Sequence, residues 1–265
     1  MKHAIAVLSI VLFVLAMSLL LTVAGGLYIP SISVRPLAEL YLNTTYNPWN
    51  REFTALSPEG VTAIVWDYRG LDTVFETTVF YLAIIASIAI ARGIRKYSAL
   101  PGKELGLSLI VRTVTRITTT LIVAVAISIA LHGHLTPGGG FQGGATAAVA
   151  PLLILVAFSH YFLLKRGVSK DLMLVIRSLG LAGIGIVAIA TYLVAVASGL
   201  PGFVLQNQPK PLSPVNLPAY LGGQLISGTL WFFNIFEFFA VMAGFTIVFL
   251  LLAIPERIAR GGGEK

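Results

Sequence analysis

The chain has 265 residues, 57% of them hydrophobic and only 11% charged, with a mean hydropathy of +0.89; soluble globular domains carry about 25% charged residues, so this composition excludes that class and indicates an integral membrane protein. Eighteen Lys and Arg against eleven Asp and Glu give a net charge of +7, and because the cations cluster at helix ends they point to topology and anionic lipid headgroups, not to nucleic acid. Cysteine is absent, which excludes disulfides, thiolate metal sites, iron–sulfur ligation and a cysteine nucleophile within this chain.

Six segments are long enough to cross about 30 Å of hydrocarbon, which takes roughly 20 helical residues. The first is Ala4 to Ala24, uncharged and longer than the apolar core of a signal peptide, so it reads as a retained helix. The second is Thr73 to Ala91, uncharged except for Glu76. The third runs from about Ile110 to Leu131, with Arg112 and Arg116 in its first turns, and the fourth from about Gly144 to Leu164. The fifth is Ser178 to Ser198; the sixth, about Leu230 to Ile254, is interrupted only by Glu237. The fold class is therefore an all-α membrane protein of six transmembrane helices.

Loop charges orient these helices. Loop 92–109 carries Arg92, Arg95, Lys96 and Lys103 against Glu104, loop 165–177 carries Lys165, Arg166, Lys170 and Arg177 against Asp171, and the tail carries Arg257, Arg260 and Lys265 against Glu256 and Glu264. Loop 132–143 has no formal charge with His neutral, and loop 199–229 has only Lys210. The Lys/Arg excess marks the cytoplasmic side, which puts both termini inside and loops 28–71, 132–143 and 199–229 outside. Within loop 28–71 the short apolar run Val61–Trp66 is expected at the headgroup zone, with Trp66 and Tyr68 as interfacial anchors. The proline-rich loop 199–229 is expected to be extended. The charged, Gly/Pro-punctuated stretch 92–106 is the expected boundary between two modules.

The most unusual stretch is Thr136-Pro137-Gly138-Gly139-Gly140-Phe141-Gln142-Gly143-Gly144, just after His132-Gly133-His134. Five glycines and a proline in nine positions argue against a helix interior, where glycine costs about 1 and proline about 3 kcal/mol relative to alanine. A sharply turning loop is expected, packed in protein or lining a wet cavity. It lacks the preceding strand and following lysine of a phosphate cradle.

Two carboxylates stand inside spans, where an ionisable group is by default a functional candidate. Glu76 lies four residues after Asp72, about 6 Å deeper, on one helix face with Thr73, Thr77 and Phe80. Glu237 is surrounded by apolar sequence, with Asn234 one turn above it as a group that could share a proton or coordinate a cation. The alternative for both is interhelical hydrogen bonding without ion traffic. Arg112 and Arg116 lie at i, i+4 with Thr113, Thr119 and Thr120; they either snorkel to the interface or, for Arg116, pair with a carboxylate of another subunit. His132 and His134 form an H-x-H pair that is a weak metal signal without further ligands; a loop or proton-relay role is expected, and no metal site. His160 beside Tyr161 reads as an interface residue.

The run from His132 to Gly144 closely resembles the signature of the B subunit of Mrp-type multisubunit sodium/proton antiporters. The four helices from about Ile110 to Ile254, with an acidic residue in the last, resemble the same subunit. Ile64-Val65-Trp66-Asp67-Tyr68-Arg69-Gly70-Leu71-Asp72-Thr73-Val74-Phe75-Glu76 is similar to a segment near the C-terminus of the large A subunit. The chain thus looks like a fusion: residues 1–98 as an A-type two-helix module and residues 106–259 as a B-type four-helix module. The resemblance implies a transporter subunit, not an enzyme, in the cell membrane, with no cofactor of its own and with Na+ and H+ as transported ions. It implies large A- and D-type and small C-, E-, F- and G-type partner subunits. The same module recurs in membrane-bound hydrogenase and sulfur-reducing respiratory complexes, where a redox arm with iron–sulfur subunits would be a further partner. Glu76, Glu237, Asp72, Asn234, His132, His134 and Arg116 are the expected ion-pathway residues, and Pro137, Gly138, Gly139, Gly140, Phe141, Gln142, Gly143 and Gly144 the expected shaping loop. A structural scaffold through which no ion passes is the competing expectation.

Overall fold

A computed structural model describes residues 2–23, 33–91 and 106–254. In chain order its elements are α1 (Lys2–Val23), α2 (Pro36–Thr45), a 3-10 turn (Arg51–Phe53), α3 (Gly60–Ala63) running into a π-turn (Ile64–Tyr68), α4 (Gly70–Ile90), α5 (Leu109–His132), α6 (Gly140–Ala157), α7 (His160–Lys165), α8 (Lys170–Ala197), a hairpin of β1 (Tyr220–Leu221) and β2 (Gln224–Leu225), and α9 (Thr229–Leu252). Six of the described helices are long and apolar enough to span a bilayer: α1 from Ile5, α4, α5, α6, α8 and α9. The chain is an all-α, multi-pass membrane protein, and the six expected spans are all present.

Clustering divides it into two compact units, Met1–Leu40 and Tyr41–Lys265. The first holds α1 and the start of α2; none of the side chains from Ile5 to Val23 is buried. The second holds everything else. Residues 92–105 of the expected module boundary, with the charged residues Arg92, Arg95, Lys96, Lys103 and Glu104, fall outside the described residues, as do Arg257, Arg260, Lys265, Glu256 and Glu264.

Within the second unit α9 is central. A helix apolar on every side belongs in a protein core or a membrane span; α9 is both, burying Leu230, Phe233, Asn234, Glu237, Phe238, Val241, Gly244, Ile247 and Leu250 between α6 on one side and α8 on the other. α5 closes against α6, and α4 lies along α9 and α8. The pairings of α4 with α9 (Phe80 against Phe245) and of α6 with α9 (Gly140 and Gly144 against Asn234 and Val241) are parallel. Those of α8 with α9 and α5 with α6 are antiparallel, since Gly180 meets Ala240 and Gly183 meets Phe236, and Gly143 meets Ala126 and Ala130.

The three loop regions expected on one side do meet there. Ser57 Oγ donates to the His134 carbonyl at 2.7 Å, and Thr62 Oγ1 to that of Gly133 at 2.6 Å. Asn207 Nδ2 donates to Ala55 O at 2.8 Å, while its Oδ1 accepts from the Thr229 N–H at the start of α9, 3.0 Å away. Ser227 Oγ donates to Leu56 O at 2.6 Å. These buried bonds satisfy backbone groups that no helix or sheet reaches. Loop 199–228 is largely irregular, as expected of its prolines.

Four expectations about local structure are corrected. The glycine-rich stretch is a loop only as far as Gly139: Gly140 to Gly144 form the first turn of α6, four residues before the expected start. The helix ends at Ala157, not Leu164, and Ser159 caps a separate short helix by accepting from the Phe162 N–H. The fifth span begins at Lys170, capped by Ser169, not at Ser178, so Arg177 lies inside a helix and is fully buried. Trp66, expected at the headgroup zone, is buried and stacks on Phe233 with ring centroids 4.3 Å apart and planes parallel within 1°.

Candidate functional site

The glycines decide how closely the helices approach. A Cβ on Gly140 would collide with the Asn234 carbonyl and lie 2.7 Å from both Cβ and Oε2 of Glu237. One on Gly144 would lie 2.7 Å from Phe238 O and 2.8 Å from Val241 Cβ. These two positions, four apart, press α6 onto α9 as small residues do in membrane helix pairs, while Gly143 presses the same helix onto α5, with Ala126 O at 2.8 Å. Ahead of the helix, Gly138 and Gly139 adopt φ of +155° and +142°, values that residues with a Cβ rarely reach. Gly133 tucks against Gly139. The backbone can therefore turn from α5 into α6 within a few residues, directly over Asn234.

This turn roofs a cavity of about 130 Å³ lined by Val61, Thr62, Val65, Trp66, Thr73, Glu76, Gly138, Gly139, Phe141, Gln142, Asn234 and Glu237. A site needs on the order of 10–15 Å³ of such volume per water, so there is room for several waters or one partly hydrated cation. Glu237 is 6% exposed and Asn234 1%. Eight residues separate Glu237 from Thr229, placing it roughly 12 Å along α9. Glu76 is roughly 9 Å along α4 by the same rise. It remains exposed, as do Phe141 and Gln142, so these three form the lip and Glu237 the floor.

Polar groups converge on the interior. Asn234 Oδ1 accepts from the Gly140 N–H at 3.3 Å, and its Nδ2 is buried without a partner. The Phe141 N–H, free because it lies in the first turn of α6, acts on the Glu237 carboxyl. So does the Trp66 indole N–H, without closing a hydrogen bond of normal geometry. The π-turn Ile64–Tyr68 presents Trp66, and Thr73 Oγ1 locks that turn to α4 by donating to Val65 O at 2.5 Å. Such turns are rare and recur at functional sites. The donor set is oxygen, from two carboxylates and amide groups, which suits a hard cation or a proton and gives a soft metal no ligand. Among the described residues no three His, Asp or Glu side chains cluster as a metal site.

Of the expected pathway residues the structure brings together Glu76, Glu237 and Asn234, with Gly138, Gly139, Phe141 and Gln142 of the expected shaping loop. Pro137 is exposed just ahead of them. The other four do not line the cavity. Asp72 is on the surface in an ion pair with Arg69 at 2.6 Å. Arg116 is exposed on α5 with its guanidinium 5.3 Å from the Phe158 ring centroid. His132 is exposed and bonds the Ser128 carbonyl through Nδ1 at 2.9 Å. His134 is 2% exposed and donates from Nε2 to Leu225 O at 2.7 Å. Burial holds its pKa below the ordinary value, so it stays neutral and buckles the loops together.

Two further groups escaped the sequence reading. Asp67, in the π-turn, has a buried Oδ2 without a partner; burial raises its pKa to about 6, against a lowering pull from Lys210. The folded protein holds this proton more tightly than the unfolded chain, so stability is greatest below the unfolded value of 3.8 and falls as pH rises through about 6. The melting temperature of the purified protein is expected to fall as pH rises from the unfolded value of 3.8 to about 6 and to level off above it. Asp67→Asn should flatten that dependence and add up to ~3 kcal/mol at the upper end; an unaltered pH profile would contradict this. The second group is Arg177, 0% exposed on α8. Its Nη1 donates to Ala240 O at 2.7 Å, and its guanidinium lies 4.5 Å from the Phe80 and 5.4 Å from the Tyr81 ring centroid. Nε and Nη2 have no partner. The sequence signal was available: Ser169, followed by Lys170 and Asp171, is a good N-cap, and it starts the helix a full two turns ahead of Arg177.

Comparisons with known proteins agree with this architecture. The chain is 27% identical to a chain of the membrane-bound sulfane sulfur reductase, an archaeal respiratory membrane complex; the match covers 95% of this chain and 97% of that one, with a TM-score of 0.58. A chain of the Mrp complex from Dietzia sp. DQ12-45-1b shares the fold, at 21% identity and a TM-score of 0.58 over 94% of this chain; the match spans about a quarter (26%) of that longer chain. An uncharacterized protein of Methanocaldococcus jannaschii, MJ1307, is 29% identical over 187 residues, 62% of this chain and 70% of that protein. Residues 110–247 match the family model described as a domain related to the MnhB subunit of Na+/H+ antiporter. With more than half its length in that match, with its six spans and with multisubunit membrane complexes as structural neighbours, the chain belongs to the MnhB-related family and is a membrane subunit of a cation/proton antiporter-type module.

Proposed function

We propose that this subunit takes part directly in ion translocation, exchanging Na+ and H+ at the cavity between α4, α6 and α9. The carrying observation is the convergence of Glu76, Glu237 and Asn234 under the glycine-rich turn. Two carboxylates facing one hydrated volume can hold either a sodium ion or protons, so occupancy by one releases the other. Glu76 at the lip receives the ion and Glu237 at the floor holds it. The glycine-rich turn carries no titratable group; it sets the width of the mouth. Loop charge orients the mouth outward with both termini cytoplasmic, and the membrane is the cell membrane. The lip stands open on the chain's surface, so neighbouring A-, D-, C-, E-, F- and G-type subunits complete the route beyond it. Arg116, exposed within α5, offers a carboxylate on such a subunit a partner.

A hydrophobic carbodiimide, which modifies membrane carboxyls, is expected to label Glu237 and Glu76 in the assembled complex, with sodium but not choline protecting both. Labelling that sodium leaves unchanged would remove the cavity from the sodium route.

A second reading is favoured by the near-complete length match to the sulfane sulfur reductase chain: the same site serves as the ion-translocating part of a respiratory complex whose redox arm carries iron–sulfur subunits. Affinity purification of the tagged chain from native membranes distinguishes the two, by recovery of iron–sulfur polypeptides or of antiporter-type membrane subunits alone.

A further inference from the structure

Arg177 is a cation buried two turns inside a span, with one hydrogen bond to a backbone carbonyl and no carboxylate at salt-bridge distance among the described residues. Such a group is rare inside a membrane, pairs with other charges or with backbone carbonyls, and is by default a functional candidate. No outside partner reaches it: it is 0% exposed, enclosed by Phe80 and Tyr81 of α4 and by Ala240 and Gly244 of α9. Gly244 leaves that space open: the guanidinium occupies the place its Cβ would take. Both enclosing helices lead back to the cavity. Phe80 follows Glu76 by four residues, about 6 Å, and Gly244 follows Glu237 by seven, about 10 Å. Aromatic rings fill the interval: Phe80 packs against Phe141 and Phe245, and Phe236 fills the notch at Gly183. The charge therefore acts across a poorly screening medium.

We infer that Arg177 is a specificity-determining charge for the cavity, setting it to hold one monovalent cation and to refuse divalent ions. The inference rests on the proposed ion site. Its basis is a charge count: Glu76 and Glu237 ionised with Arg177 give a net charge of −1, which one sodium ion or one proton neutralises. Without Arg177 the net charge is −2, and a divalent ion fits. At roughly 10 Å and an effective dielectric constant of 20, removing the positive charge strengthens monovalent binding by about ten- to twenty-fold.

The test uses the whole complex in proteoliposomes, with sodium-driven proton movement measured against sodium and calcium concentration. Arg177→Gln and Arg177→Met are expected to lower half-saturating sodium about ten-fold and to make transport calcium-sensitive; Arg177→Lys, which keeps the charge, should retain the native values. The wild-type complex is expected to be indifferent to millimolar calcium, and wild-type inhibition by calcium below half-saturating sodium would overturn the proposal even if neither neutral variant assembles. Assembled neutral variants with unchanged sodium and calcium responses would also overturn it. Glu237→Gln is run in parallel: native transport in that variant sinks the ion site itself, whereas loss of transport there with unchanged Arg177 variants sinks only the role of Arg177.

Discussion

Glu237→Gln is expected to cut sodium-driven proton transport by at least about ten-fold while leaving the complex assembled. The substitution keeps the shape of the side chain and an acceptor for the Phe141 N–H, so the contact between α6 and α9 over Gly140 persists. What is lost is the charge and the exchangeable proton. A carboxylate about 4 Å from a monovalent cation contributes roughly 4 kcal/mol at an effective dielectric constant of 20, about three decades in affinity, and half of that would still exceed ten-fold. Glu76→Gln should have a smaller effect, because Glu76 is exposed at the lip and water screens it. Native transport rates in a Glu237→Gln complex of normal composition would take this residue out of the ion route and favour the scaffold reading. The assay is proton movement in proteoliposomes after a sodium jump, with subunit composition checked on the same preparation.

Gly140→Ala is the second large effect, and it acts on structure. The added methyl group meets the Asn234 carbonyl and the Glu237 side chain. Overpacking costs about 1–3 kcal/mol when neighbours can shift; here the nearest neighbour is helix backbone, so the upper end or more is expected. Because the Gly140 N–H also holds Asn234 Oδ1, the cavity deforms as the helices part. Reduced recovery of the intact complex and a lower melting temperature are the expected readouts. Gly185→Ala is the control: nothing lies within 4 Å of its would-be Cβ, and within α8 it should be neutral or gain up to about 1 kcal/mol from helix propensity. Equal behaviour of the two variants would refute the close-approach account.

Six spans, their order and the fold class were legible in the sequence because a bilayer imposes a single strong constraint: some twenty apolar residues per crossing. The two carboxylates stood out for the same reason, since an ionisable group inside a span is costly wherever it occurs. The motif from His132 to Gly144 identified the family. Helix starts were less legible, for two opposite reasons. Glycines read as a loop at 140–144 because propensity disfavours them in helices, yet tertiary contact with α9 admits no larger residue there. Arg177 read as a loop charge because hydropathy counts a cation against a span, yet α4 and α9 enclose it.

By itself the sequence determined that this chain crosses the membrane six times, carries acidic residues in two of the crossings and bears a glycine-rich signature beside them; all three are properties of single segments. Only the tertiary structure decided which of the candidate groups share one volume. Glu76, Asn234 and Glu237 lie more than 150 positions apart at the extremes, and they share one volume because α4 lies along α9 while glycines let the turn into α6 close against α9. Asp72, Arg116, His132 and His134 satisfied the same composition rules yet point elsewhere. Convergence depends on helix packing, which pairs distant residues and leaves no periodicity in the segments it joins.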